Sequence, residues 1–137
     1  NAAPVEVHAI PLGRVGKPSA EDDSVVVTVR FADGSVGTIT YAANGDSSVP
    51  KESLEVFSTG RTAILDNSRK VTMFRDGTVT EHKRSSIDKG HHEEVDRYMR
   101  AILGGSAIPI PFEESVAATK ATFRMLDSLK MGKPVKV

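Results

Sequence analysis

The chain contains no cysteine and no tryptophan. Without thiols there can be no disulfide, no thiolate metal site and no thiol nucleophile, and the composition fits a reducing compartment such as the cytoplasm. Nowhere do about 18 apolar residues run together, so no transmembrane helix is expected, and no signal-peptide pattern opens the sequence. Charge of one sign is also lacking. Eighteen basic residues balance 18 acidic ones for a formal net charge of zero, so nothing draws the protein electrostatically to nucleic acid or to a membrane surface. Aromatics make up only 5%.

What is present is ordinary for a globular protein: 137 residues, 39% hydrophobic and 26% charged. That length fits one domain, residues 1–137, able to bury a core. The opening "NAAPVEVHAIPLG" already reads as a strand, which suggests a piece of a longer protein.

Hairpins fill the first half. In "SVVVTVRFADGSVGTITYA", Asp33-Gly34 suits a two-residue type I′ turn. That turn would set Phe31 opposite Val36, Val29 opposite Thr38 and Val27 opposite Thr40, on a core-facing side. Val26, Thr28, Ile39 and Tyr41 would then share a mixed outer face. "ESLEVFSTGRTAILD" folds around Thr59-Gly60, with Leu54, Val56, Ala63 and Leu65 on one face. "KVTMFRDGTVTEHK" folds around Asp76-Gly77. The second half is helical. Val95, Tyr98, Met99, Ile102 and Leu103 form the stripe of a helix lying on a core, with Asp88 as N-cap and Gly104 as C-terminal stop. A second helix starts near Phe112 or Glu113, carries Val116, Phe123, Met125, Leu126 and Leu129, and ends at Gly132 and Pro134. The class expected is α+β: an open, mainly antiparallel sheet, a meander of hairpins, with two C-terminal helices packed on one face.

Few motifs carry chemistry. No G-x-x-x-x-G-K-[ST] loop and no G-x-G-x-x-G between strand and helix is present, so no nucleotide-binding site is expected. No G-x-S-x-G elbow marks a serine hydrolase. His91 and His92 are adjacent and diverge by about 100° on a helix. Only His92 and Asp96 have i, i+4 spacing, so no metal site is expected. Two segments remain open between a structural and a ligand-binding reading. "DKGHHEE" is a helix start, where free N–H groups and the positive dipole end suit an anion or a capping carboxylate. There Lys89 and His91 either contact a ligand or merely flank a cap. In "TYAANGDSSVPKE", Asn44-Gly45 reads as a turn, with Tyr41 and Asn44 at one end of the sheet.

Taken together, "RFADGSVGTITYAANGD", "PKESLEVF", "DKGHHEEV", "IPIPFEE" and "ATKATFRMLDSLKMGKPV" resemble the C-terminal domain of the glucose–fructose oxidoreductase and inositol dehydrogenase family. The bi-domain oxidoreductase branch is the nearest. The resemblance runs in order from Ser24 to Val135. It implies an N-terminal Rossmann domain elsewhere that binds NAD or NADP, and a C-terminal domain that shapes a sugar pocket and forms a homo-oligomer through its open sheet. The glycine fingerprint, the Glu-Lys-Pro lysine and the Asp…His acid–base pair of that family have no counterpart here. The chain is therefore expected to be the later part of a C-terminal domain that binds no cofactor or metal and holds no catalytic residue. Its expected role is substrate binding and oligomerisation in an NAD(P)-dependent sugar or nucleotide-sugar oxidoreductase. The substrate-side candidates are Lys89, His91, Tyr41 and Asn44. A stand-alone interaction module using the open sheet face is the alternative.

Overall fold

The structure, a computed structural model, describes residues 2–12, 24–43 and 45–137. It contains two antiparallel four-stranded sheets and two helices, an α+β arrangement with open sheets. The chain divides into two compact units, Asn1–Gly45 with Ile110–Val137, and Asp46–Pro109.

In the first unit, β1 (Pro4–Pro11), β2 (Val25–Phe31) and β3 (Val36–Tyr41) form a sheet with the short closing strand β8 (Val135–Lys136), in the order β3-β2-β1-β8. Strand β8 was not anticipated; it forms just beyond Pro134 and pairs Lys136 with Glu6 and Val135 with Val7. Helix α2 (Phe112–Met131) packs on β1 and β8. The core is small: Val7, Ala9, Val27 and Ala121, with Val25, Val29, Met125, Leu129 and Val137 against it. Period-2 alternation on the strands and small residues at the contact turn of α2 let backbone and sheet approach closely.

The register of the β2–β3 hairpin corrects the expected one. Val27 pairs with Ile39 and Val29 with Gly37, one residue away from a two-residue turn. The Asp33 carboxylate accepts hydrogen bonds from the Ser35 N–H (3.0 Å) and hydroxyl (2.7 Å). Gly34 N–H donates to the Phe31 carbonyl, and Phe31 N–H to that of Ser35. Only Gly34 in this loop takes positive φ, at 86°. The result is a three-residue loop, a type I turn closed by a left-handed glycine. A slip of one residue exchanges the faces of a strand. Ile39 and Tyr41 therefore share the α2 side with Val25 and Val27. The open face carries Val26, Thr28 and Arg30 beside Val36, Thr38 and Thr40.

The second unit is a regular meander, β4 (Ser53–Ser58), β5 (Arg61–Asp66), β6 (Lys70–Arg75) and β7 (Thr78–Lys83), in that order. Here the turn chemistry acts as expected. Thr59 and Gly60 have φ of 46° and 73°, Asp76 and Gly77 49° and 74°, the paired positive values of a type I′ turn. Leu54, Val56, Ala63 and Leu65 share one face. Helix α1 (His91–Ile102) follows and ends as anticipated at Gly104, φ 78°. The N–H groups of Gly104 and Gly105 donate to the carbonyls of Ala101 and Arg100, the paired bonds of a Schellman motif. The expected burial of its stripe is corrected, however. No residue of α1 is buried, and Val95, Tyr98, Met99 and Ile102 are all exposed.

Candidate functional site

Lys89 and His91 sit where the meander hands over to α1. Gly90, in the left-handed region at φ 76°, is the residue that turns the chain into the helix and takes the N-cap position. Asp88 is thus not the N-cap. Its carboxylate instead accepts the Gly90 N–H at 2.8 Å, one step ahead of the helix, and also pairs with Arg84. Glu93 and Glu94 occupy the first turn, where they complement the dipole. Glu93 also pairs with Arg97 at 2.7 Å. His91 opens α1 and is exposed.

Lys89 is tied down rather than free. Its ammonium donates to Glu52 Oε1 at 2.5 Å, and the Ser68 hydroxyl donates to Glu52 Oε2 at 2.6 Å. These two bonds hold the Glu52 carboxyl below its ordinary pKa, Lys89 contributing most and Ser68 next. Backbone bonds reinforce the joint. Asn67 N–H reaches the Glu52 carbonyl at 2.8 Å, and Arg84 N–H the Arg69 carbonyl at 2.9 Å. The Arg69 Nε donates to the Arg84 carbonyl at 3.1 Å. The approach to β4, the β5–β6 turn and the segment before α1 thus meet in one polar knot.

Glu52, Ser68 and Arg84 belong to this knot but were not singled out from sequence. Glu52 and Lys89 are 37 positions apart, and no local pattern links them. Of the other candidates, Tyr41 lies in the first unit, exposed and paired across the strand with Val25. Asn44 lies outside the described residues. Asp96, considered with His92 for a metal, pairs with Arg100 at 2.9 Å. Among the described residues no group of three histidine or carboxylate side chains is arranged to hold a metal ion, and no helix is long and apolar enough to cross a membrane.

A helix start carrying a lysine already neutralised by a carboxylate can still hydrogen-bond a ligand. An ammonium has three donors, and Lys89 spends one on Glu52. The arrangement holds a hydrogen-bonding group in place.

No protein-family profile matches the sequence, and comparison with curated proteins finds no relative. Solved structures do match. A UDP-N-acetylglucosamine 3-dehydrogenase from Acidithiobacillus ferrooxidans superposes with a TM-score of 0.78 at 13% identity, over 95% of this chain and 41% of that one. An aldose–aldose oxidoreductase from Caulobacter crescentus, complexed with glycerol, gives 0.76 at 14% identity, over 99% and 42%. An oxidoreductase from Agrobacterium radiobacter, in complex with NAD+, L-tartaric acid and magnesium, gives 0.76 at 11%, over 98% and 43%. The chain spans about two-fifths of the length of these structures. At such identities the likeness is one of fold, and at that level it bears out the resemblance to the glucose–fructose oxidoreductase and inositol dehydrogenase family.

Proposed function

We propose that this chain is the later part of the C-terminal domain of an NAD(P)-dependent oxidoreductase acting on a sugar or nucleotide sugar, where it serves substrate binding and oligomerisation. The observation that carries the reading is the near-complete coverage of this chain, from 95 to 99%, by two-fifths of sugar-active oxidoreductases. A nicotinamide cofactor for the parent is supported by the NAD+ complex of a third match. In this reading a Rossmann domain of the same polypeptide binds the dinucleotide. This chain is expected to bind none, since among the described residues no glycine-rich strand-to-helix turn is present to receive a pyrophosphate. The parent works in the cytoplasm.

On the substrate side the first candidates are Lys89, pre-positioned by Glu52, and His91 at the opening of α1. Tyr41 and Asn44 follow. Lys89 presents its remaining donors to a hydroxyl or an anionic group, and His91 hydrogen-bonds an oxygen. The test is steady-state kinetics of Lys89→Ala, His91→Ala and His92→Ala in the full-length parent. The reading requires the first two to raise KM or lower kcat, and the third to do neither. Because Lys89 also anchors Glu52, its variant should lose some thermal stability as well, whereas His91→Ala should not. If only stability falls, the stretch is a helix start held by an ion pair, without a role in substrate binding.

The exposed stripe of α1 favours a second reading, a stand-alone interaction module. Large apolar patches seldom stay bare. The parent reading frame separates the two: a G-x-G-x-x-G motif upstream supports the oxidoreductase.

A further inference from the structure

The turn-end of the second sheet holds an arrangement that the proposed function does not use. In the registers of β4, β5, β6 and β7, Ser58, Arg61, Arg75 and Thr78 line up in one row across one face. The next row on that face is Val56, Ala63, Met73 and Thr80. Both rows line a single depression of about 640 Å³, within the size range of small-molecule sites. One end carries two arginines, the Asp76 carboxylate paired with Arg75, and hydroxyls, for a net positive charge, and the floor is apolar.

Arg61 and Arg75 are direct cross-strand partners, a placement that brings Cβ atoms to about 4.5–5.5 Å and disfavours like charges. Their compensation is incomplete. Arg75 donates through Nε to the neighbouring Asp76 carboxylate at 3.2 Å, while no ion pair forms at Arg61 among the described residues. A guanidinium carries N–H donors in a fork that matches carboxylate and phosphate oxygens, and the register puts Arg61 and Arg75 at the same level on neighbouring strands. A surface of solvated arginines would have no need of the hydroxyls beside them or the hydrophobic row behind them.

We infer that this depression binds a small molecule with a phosphate or carboxylate group on an apolar body. The oxyanion sits between Arg61 and Arg75, with hydroxyl donors from Ser58 and Thr78. The apolar body lies on Val56, Ala63 and Met73. The site is independent of Lys89 and His91 and of the proposed function, and it stands or falls separately.

The test is calorimetric titration of the full chain with inorganic phosphate and with phenyl phosphate at constant ionic strength, with thermal melting in the same buffers against a chloride control. The expected result is saturable binding of phenyl phosphate, several-fold tighter than inorganic phosphate, with a raised melting temperature. Arg61→Gln and Arg75→Gln should each weaken binding about tenfold, the loss of one charge-assisted contact. Arg61→Lys, which keeps the charge but not the fork, should fall between wild type and Arg61→Gln. In the absence of anion the Arg61→Gln variant should melt no lower than wild type, because a like-charge pair has been removed. The inference is overturned if neither probe binds saturably at about millimolar concentration. It is equally overturned if stabilisation is the same in chloride, or if the double variant Arg61→Gln/Arg75→Gln binds as wild type does. Tight inorganic phosphate binding without any gain from the phenyl group would overturn the apolar half of the assignment.

Discussion

Ser128 shows how a single polar atom can hold two elements together. It is fully buried, and its hydroxyl accepts the Ala9 N–H at 2.9 Å and donates to the Lys133 carbonyl at 2.7 Å. Strand β8 pairs β1 only at Glu6 and Val7, so Ser128 completes the hydrogen bonding of β1 beyond the end of its partner. Ser128→Ala would leave the Ala9 N–H buried and unpaired and free the partly exposed Lys133 carbonyl, at a cost of about 1–3 kcal/mol. Urea denaturation should show that loss as a lowered midpoint with an unchanged slope. Glu52 is the second residue of this kind, at the surface. Its folded pKa is lowered, so its contribution to stability is present above its unfolded value and is lost as pH falls through the folded one. Melting curves across acid pH should show wild type losing an advantage over Glu52→Gln that it holds near neutrality. An equal gap at every pH would mean that the Lys89 and Ser68 bonds add nothing.

Turn residues decide register at the scale of the element. Gly34 has φ 86° and open space where a Cβ would sit. Gly34→Ala should therefore cost about 1 kcal/mol through backbone conformation alone, without a clash. Chemical denaturation measures it. Two of the three Gly-closed hairpins were legible in sequence, because Thr59-Gly60 and Asp76-Gly77 form two-residue loops in which both residues take positive φ. The third hairpin pairs one residue away from the register its dipeptide implies. Asp33-Gly34 offers the same dipeptide, but the Asp33 side chain captures Ser35 and lengthens the loop. Choosing between those outcomes depends on a side-chain hydrogen bond that composition does not reveal. Helix limits were legible where glycine marks them, at Gly104 and Gly132, both left-handed. The start of α1 was misplaced because Gly90, not Asp88, makes the turn. Burial was harder to read. The periodic stripe of α1 is present but uncovered, and Phe123 and Leu126 of α2 are also exposed, while Ala121 and Ser128 face inward. Hydrophobic periodicity shows which side of a helix is apolar; what covers that side depends on partners elsewhere. The site was legible only as a helix start, since the Glu52–Lys89 pair is a long-range contact.

For the whole molecule the described residues present apolar surface in quantity: Leu103 is 80% exposed, Phe112 76% and Phe57 72%. Such surfaces in a charge-balanced protein favour association. Light scattering of the isolated chain should show a dimer or larger. The register correction moves the proposed sheet interface to Val26, Thr28, Val36, Thr38 and Thr40. A Thr28→Lys/Thr38→Lys variant, which places like charges directly opposite on that face, should shift the population toward monomer while leaving the α2 side intact. In the proposed division of labour this chain would supply substrate and oligomer contacts, and the dinucleotide would be held elsewhere in the parent. Calorimetric titration of NAD and NADP, oxidised and reduced, into the isolated chain and into the full-length parent tests that most directly. The isolated chain should bind none of them, and the parent should bind one dinucleotide with micromolar or tighter affinity. Micromolar binding to the isolated chain, or none to the parent, would contradict that division of labour.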